Sequence, residues 1–415
     1  MGVERLRDRP RLFSRRAELA APPAGERPGF AHVASDQVYL DSACQSLRPQ
    51  PVIDALTDYL LTYGACGGRV RYPWGRRVDD EVARTRALVL DTFDQSPRRY
   101  SCAFTLNTTS ALNLLVGQLP ARRYARIITT HTEHNAVFLS TMTAARRAGI
   151  PRVVLERAAD GRIETSGTDL TDALVVVSAM DNVTGVLTSA MPDLIADVHR
   201  AGGAVILDAA QAAPHALSHL RGLGADALCF SAHKMSGPSL GVVVATHEML
   251  TSLELSVVGG GQVAAVTEDA FELLPEPHTR LEAGLQPWGE IIAFGAALGW
   301  RSGFRSAAGE SLTVHEARLA ARLRDGMAAL PHLRLLSPVG APLVTVCPER
   351  VDGHRLATFL AQAGIMVRSG YFCAHHWLQE REAHPPLVRF SVGAHNTDAD
   401  IDHTVAVMGR LMRGL

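Results

Sequence analysis

Lys234 is the only lysine in a chain of 415 residues with 41 basic side chains, so every other one is arginine. A codon bias towards arginine explains that composition most simply, and a position that keeps lysine against it needs something arginine cannot do. Guanidinium stays protonated in proteins, whereas a desolvated ammonium can lose its proton and attack a carbonyl carbon. The chemistry open to Lys234 is Schiff-base formation, with a carbonyl substrate or with the aldehyde of pyridoxal phosphate. Its surroundings fit a buried site. The apolar run Ala227–Phe230 reads as a strand, Ser231-Ala232-His233 puts polar groups at its exit, and the Gly237-Pro238 turn leads into a second apolar strand, Gly241–Ala245.

Pyridoxal phosphate needs an acid for its ring nitrogen, a phosphate cradle and a flat partner for the ring. Asp208 ends an apolar run, where an unpaired carboxylate is costly and a protonated pyridine nitrogen would compensate it. The same residue could cap a helix over Ala209–Ala213. Gln211 could bind the ring hydroxyl or be an ordinary helical residue. Thr108-Thr109-Ser110 precedes an expected helix, where free N–H groups and hydroxyls suit a phosphate, although these residues are also good N-caps. His134 could stack on the ring, and His233 could bind phosphate or shuttle a proton.

Arg368 and Arg389 fall on strands expected to be neighbours, with Cys373 in the loop between them. Arginine binds an amino acid's carboxylate through two parallel hydrogen bonds. Cationic residues near Cys373 in sequence, His375 and His376 among them, favour a thiolate. Cys373, His375 and His376 could instead ligate a metal, but no second ligand pair at usable spacing accompanies them, and no metal is expected.

The elements that must position these residues follow from the apolar pattern. Strands are expected at Tyr100–Thr105, Arg126–Thr130, Arg152–Glu156, Ala173–Ser178 and Ala204–Leu207, separated by helices at Ala111–Leu119, Ala136–Ala148 and Pro192–Ala201. That alternation predicts an α/β fold with a mainly parallel sheet. Almost every polar cluster, Asn182 included, follows a strand's C-terminal end, the edge where open α/β sheets bind ligands. Helices are also expected at Pro49–Tyr63 and Asp79–Phe93, with Gly64–Arg77 as a loop between them. Beyond Leu281–Trp300, strands at Pro342–Cys347, Ile365–Ser369 and Leu387–Val392 with three helices predict a smaller α+β C-terminal domain. The organisation read from the sequence is a weakly ordered lead-in over 1–34 containing a short basic helix at Arg11–Leu19, a large domain over 35–290 and a small one over 291–415.

With 47% hydrophobic residues and a net charge of −1, the chain can bury a large core and shows no basic patch that points to nucleic acid. Six scattered cysteines without C-x-x-C spacing argue against a disulfide framework and fit a reducing cytosol. Neither a signal peptide nor a membrane-length apolar run is present, so a soluble, cytoplasmic protein is expected.

Taken together, Asp208-Ala-Ala-Gln211, Ser231-Ala-His-Lys234 and Arg368-Ser-Gly-Tyr-Phe-Cys373-Ala resemble the class V aminotransferase superfamily, in its cysteine desulfurase and selenocysteine lyase branch. Thr132-Glu-His134-Asn-Ala-Val, Ser178-Ala-Met-Asp-Asn182-Val-Thr-Gly, Gly259-Gly-Gly and Glu282-Ala-Gly-Leu285 fit as well, in family order from about Tyr39 onward. The form around Cys373 is similar to the Suf-type, short-loop group. The resemblance implies a pyridoxal-phosphate enzyme of fold type I, homodimeric with its site at the interface. By the same resemblance Lys234 carries the cofactor, Asp208 binds the pyridine nitrogen, and Gln211 the ring oxygen. His134 stacks on the ring with Asn182 beside it, Thr109, Ser231 and His233 hold the phosphate, and Arg389 binds the substrate carboxylate. Cys373 would take sulfur from L-cysteine as a persulfide, leave L-alanine and pass the sulfur to an acceptor protein. Selenocysteine cleavage, carbon–sulfur lysis, epimerisation and a catalytically silent binding role are the rival readings. Two departures from the family pattern stand out. Leu285 replaces the usual threonine that reaches the neighbouring subunit's phosphate, and His376 replaces a common proline three residues after the cysteine.

Overall fold

Seven short apolar runs form the central sheet because each is too brief for a helix and is rich in residues that pack on a pleated surface. The computed structural model describes residues 27–414 except 35, 69 and 121, so the helix expected over Arg11–Leu19 lies outside the described residues. Across the sheet the order is Tyr100–Thr105, Gly241–Thr246, Ala227–Ser231, Ala204–Asp208, Ala173–Ser178, Arg126–Thr130 and Arg152–Leu155. Gly241–Thr246 runs antiparallel to both its neighbours, and all the other pairings are parallel.

Both faces of this sheet are covered. Along Ala204–Asp208, Val205 and Leu207 pack with Phe93, Phe230 and Phe294 on one face, while Ile206 packs with Leu112, Leu115 and Val137 on the other. Each fully buried side chain of this size contributes about 1.5–3 kcal/mol. Such a core fixes where each strand ends, and the functional groups stand at those ends.

The second sheet is antiparallel, ordered Leu333–Leu335, Leu343–Pro348, Leu387–Ser391 and Arg368–Gly370. Leu319, Leu323, Leu356, Leu360 and Met408 from the flanking helices pack with Phe390 of this sheet. The segment Val38–Ser46 ties the two sheets together. Val38 and Tyr39 pair in parallel with Ile365 and Met366, Asp41 bridges to Ser391, and Ser46 Oγ donates to the His233 carbonyl at 2.9 Å while accepting from Ser236 N at 2.7 Å.

Some boundaries differ from the sequence expectation. The helix expected from Asp79 starts at Pro73, whose fixed φ and missing N–H suit a first helical position. The strand expected over Ile365–Ser369 breaks after Met366, its first half pairing with Val38–Tyr39 and its second with Leu387–Ser391. The hairpin Val263–Val266/Phe271–Leu273 and the edge strand Leu333–Leu335 were not anticipated, being short and mostly exposed. The helix Trp288–Gly303 runs through the boundary expected after residue 290. Ahead of residue 35, Phe30 is buried against Trp300, and Arg27 pairs with Asp400 at 2.9 Å. Among the described residues no helix is long and apolar enough to cross a membrane.

Candidate active site

At the C-terminal edge of the parallel strands the second sheet closes over the first and leaves a cleft of about 340 Å³. Thr108, Thr109, His134, Asn182, Asp208, Gln211, Ser231, His233, Lys234, Arg368, Cys373 and Arg389 all line it, so the residues expected to hold cofactor, substrate and sulfur meet in one place, while His375, His376 and Leu285 are not among its lining residues.

The floor is built by strand ends. Asp208 closes its strand, and its Oδ1 accepts from Ala210 N at 2.9 Å. Burial pushes this carboxyl up from 3.8 to about 6, against the pull of the Ala210 N–H and Lys234. Lys234 ends a short 3₁₀ turn after the adjacent strand, where burial lowers its amine's pKa and Asp208 opposes that shift. A lowered amine pKa is what Schiff-base chemistry requires.

Beside Lys234 a hydroxyl-lined cradle forms. Ser231 Oγ accepts from Thr108 N at 3.0 Å and lies 2.6 Å from Thr108 Oγ1. Thr108 and Thr109 do not cap their helix as the sequence allowed. They are its first residues, and the cap is Asn107, whose Oδ1 accepts from Ser110 N at 2.9 Å. Gly241 makes the close approach possible, since a Cβ there would lie 2.6 Å from the Asn107 carbonyl carbon.

His134 is the N-cap of the helix Asn135–Ala148, its Nδ1 accepting from Ala136 N at 3.0 Å. That bond leaves the ring's proton on Nε2. Burial, with Lys234 and Arg389 nearby, holds His134 down to about 3, and burial holds His233 to about 4. Both rings are therefore neutral near pH 7. The turn before His134 is anchored by buried Glu133, which accepts from Ser178 N at 2.9 Å and from Arg157 Nη2 at 3.0 Å.

Arg368 and Arg389 are direct cross-strand partners. Like charges in that position repel, and Asp41 offsets the repulsion by approaching Arg368 Nη2 at 2.8 Å and Arg389 Nη2 at 3.7 Å. Arg389 is 3% exposed and donates to the Asn182 carbonyl at 2.6 Å, whereas Arg368 lies at the surface and also donates to Cys44 Sγ. Asp41 and Cys44 were not among the expected site residues. Asp41 follows the strand Val38–Tyr39, whose two residues are too few to give the long apolar run that marked Asp208. Cys44 carried no such signal.

Cys373 rides on a tight turn closed by Ala374 N donating to the Tyr371 carbonyl at 2.8 Å. Its two corner residues, Phe372 and Cys373, have φ of 49° and 58°. A left-handed conformation costs a non-glycine residue about 1–2 kcal/mol. Neighbours hold the turn there: Asn182 Nδ2 donates to the Phe372 carbonyl and Asn135 N to the Cys373 carbonyl, each at 2.6 Å. The Cys373 side chain is exposed.

Whether the cleft fits a polar cofactor can be read from its unmet hydrogen bonds. Among the described residues, Asn182 Oδ1, Gln211 Oε1, His233 Nδ1 and Arg389 Nε are buried without a partner. Buried polar atoms are ordinarily bonded, so four orphans facing one cleft mark a ligand's place. With an amine of lowered pKa and a buried acid at adjacent strand ends, these residues fit pyridoxal phosphate.

Such a site on a mainly parallel sheet defines a pyridoxal-phosphate-dependent enzyme of fold type I. The family model for aminotransferase class-V matches residues 38–404, and the chain belongs to that family. Its relatives include the probable cysteine desulfurase 2 of Mycobacterium leprae, 30% identical over 89% of this chain and 90% of that one. A probable cysteine desulfurase of Pseudomonas aeruginosa is also 30% identical, over 94% and 98% of the two chains. Among solved structures, the cysteine desulfurase CsdA of Escherichia coli superposes with a TM-score of 0.83 at 26% identity, over 94% of this chain and 98% of the other.

Proposed function

We propose that the protein is a cysteine desulfurase, converting L-cysteine to L-alanine and holding the sulfur as a persulfide on Cys373 for transfer to an acceptor. The observation that carries this reading is a thiol held at the mouth of the same cleft that contains Lys234, Asp208 and Arg389. Pyridoxal phosphate, when bound, supplies an electron sink for the substrate's α-carbon. Lys234 is the residue that would hold it, with Asp208 at the ring nitrogen and Gln211 at the ring oxygen. Thr108, Thr109, Ser231 and His233 would hold the phosphate, and the neutral His134 ring would cover the cofactor's face.

The rest is done by this chain's own groups. Arg389, buried and with Nε unpaired, binds the substrate's carboxylate through its planar fork, beside Asn182. Cys373 Sγ attacks the substrate's sulfur. The S–S bond forms as the Cβ–S bond breaks, the electron pair stays with carbon, and a proton delivered there completes alanine. Exposure of Cys373 leaves the sulfur open to an acceptor protein. Leu106 and Leu285, which line one open cavity, are both more than half exposed, which supports a homodimer that covers them. The scattered, free cysteines fit a cytoplasmic setting.

Product analysis of the holoenzyme with L-cysteine tests the reading. Wild type is expected to yield alanine and a Cys373 persulfide. Cys373→Ala is expected to lose alanine formation while keeping the bound cofactor's absorbance. Pyruvate and ammonia as the products, or undiminished alanine from Cys373→Ala, would overturn it.

A further inference from the structure

His376, three residues after Cys373, is a departure that the proposed chemistry leaves unused. Its ring stacks on Phe138 at 4.2 Å and 18°, and on His131 at 5.3 Å and 28°. A ring-to-ring hydrogen bond joins His131 Nδ1 and His376 Nε2 at 3.0 Å. Phe138 is itself covered by the Arg152 guanidinium at 4.1 Å, and Arg152 donates to the Phe138 carbonyl at 2.9 Å. Both partners belong to the large sheet's side of the cleft: His131 follows the strand Arg126–Thr130, and Phe138 lies on the helix that His134 caps.

The neighbouring residue makes the same crossing, His375 Nδ1 lying 3.1 Å from Asn135 Nδ2. Further along, Arg381 pairs with Glu156 at 2.6 Å. The stretch after the cysteine, wound as a π-helix over His376–Arg381, is thus fastened across the cleft at three points. Within the turn, Phe372 and Cys373 adopt a conformation that free chain avoids. Something outside the turn must hold it.

We propose that His376, through its ring contacts with His131 and Phe138, is a positioning residue that fixes the Cys373 turn at the cleft mouth. This rests on the reading of Cys373 as the sulfur acceptor. The hydrogen bond needs one ring nitrogen as donor and the other as acceptor, and the environment favours that state. Burial, then Arg381 and also Arg152, lower both imidazoles, while Glu156 beside His131 and Glu380 beside His376 pull the other way. Only a second proton, which turns both rings into donors, removes the acceptor.

The test uses the holoenzyme and two readouts. In His376→Ala, kcat for alanine formation is expected to fall about 10–100-fold with KM for cysteine unchanged, as a misplaced reacting group requires. Amide hydrogen exchange over residues 371–381 is expected to quicken at least about tenfold, a measure independent of turnover. His376→Phe keeps a ring for the stack and is expected to recover at least half the lost kcat on a logarithmic scale. His131→Ala added to His376→Ala is expected to cost little more than the single change, because both remove one contact. Wild-type kcat in His376→Ala, unchanged exchange over 371–381, or full additivity of the two changes would overturn the proposal. If Cys373→Ala itself still makes alanine at the wild-type rate, the desulfurase reading falls and the positioning role with it. The exchange measurement separates that failure from one of the ring contacts.

Discussion

Asp208 and Lys234 stand at the ends of adjacent strands buried along their whole length, whereas Cys373 rides on a turn with two residues in left-handed backbone. The floor of the cleft is set by local order: Asp208 is the last residue of its strand, and Lys234 lies one short turn beyond the next. Its mouth is set by contacts from distant segments, Asn135, Asn182, Phe138 and His131, none of them near residue 373 in sequence. Rigid groups suit a cofactor that stays through every turnover. A turn held by removable contacts suits the proposed role of a thiol that meets the substrate and then an acceptor.

Changes on the floor are expected to cost most. Lys234→Arg keeps the charge but cannot form a Schiff base, so turnover should fall at least about 10²–10⁴-fold. Borohydride reduction of wild-type holoenzyme should label a single peptide, and a label elsewhere would break the contrast. Arg389→Lys loses the planar fork and should lower kcat/KM about 10–100-fold, read from steady-state kinetics.

Asp208→Asn should separate function from stability. In the cofactor-free protein the carboxyl's pKa is about 6 against an ordinary 3.8, so the folded state holds this proton more tightly than the unfolded one. Its stabilising contribution is complete below about pH 4 and is lost as pH rises through about 6. At pH 7 the charged, buried carboxylate therefore costs roughly 2–3 kcal/mol. The asparagine variant should unfold at higher urea than wild type at pH 7, with the gap closing near pH 4, while its activity falls. The smallest effect is expected from Arg368→Lys. Its pairing with Asp41 is partly exposed, where such pairs contribute about 0–1 kcal/mol, so kcat/KM should change less than about fivefold. A larger loss would move the substrate's carboxylate site from Arg389 towards the surface.

The same contrast explains what could be read from the chain alone. Apolar runs mark where strands stop, so Asp208, Gln211, Ser231 and Lys234 were legible, and Arg368 and Arg389 could be placed on neighbouring strands. Asp41 was missed because its strand has only two residues, and that strand pairs with one more than three hundred positions away. Thr108 and Thr109 were set outside their helix because a threonine caps nearly as well as the asparagine before it. The contacts that hold Cys373 left no periodic signal. Rings from residues 131, 138 and 376 come together only once both sheets are folded and docked.

Because Lys234 is the only side-chain amine in the sequence, a protease that cuts solely after lysine has one target, the bond to Met235. That bond lies within the turn joining two buried strands, and Met235 itself is 1% exposed. Cleavage into 1–234 and 235–415 is therefore a report on opening of the large sheet's own core, not on loop motion. A pyridoxyl group fixed on the same nitrogen by reducing a Schiff base would leave a cation there but one too bulky for a lysine-specific pocket, so the reduced, loaded protein should stay in one piece even when unfolded.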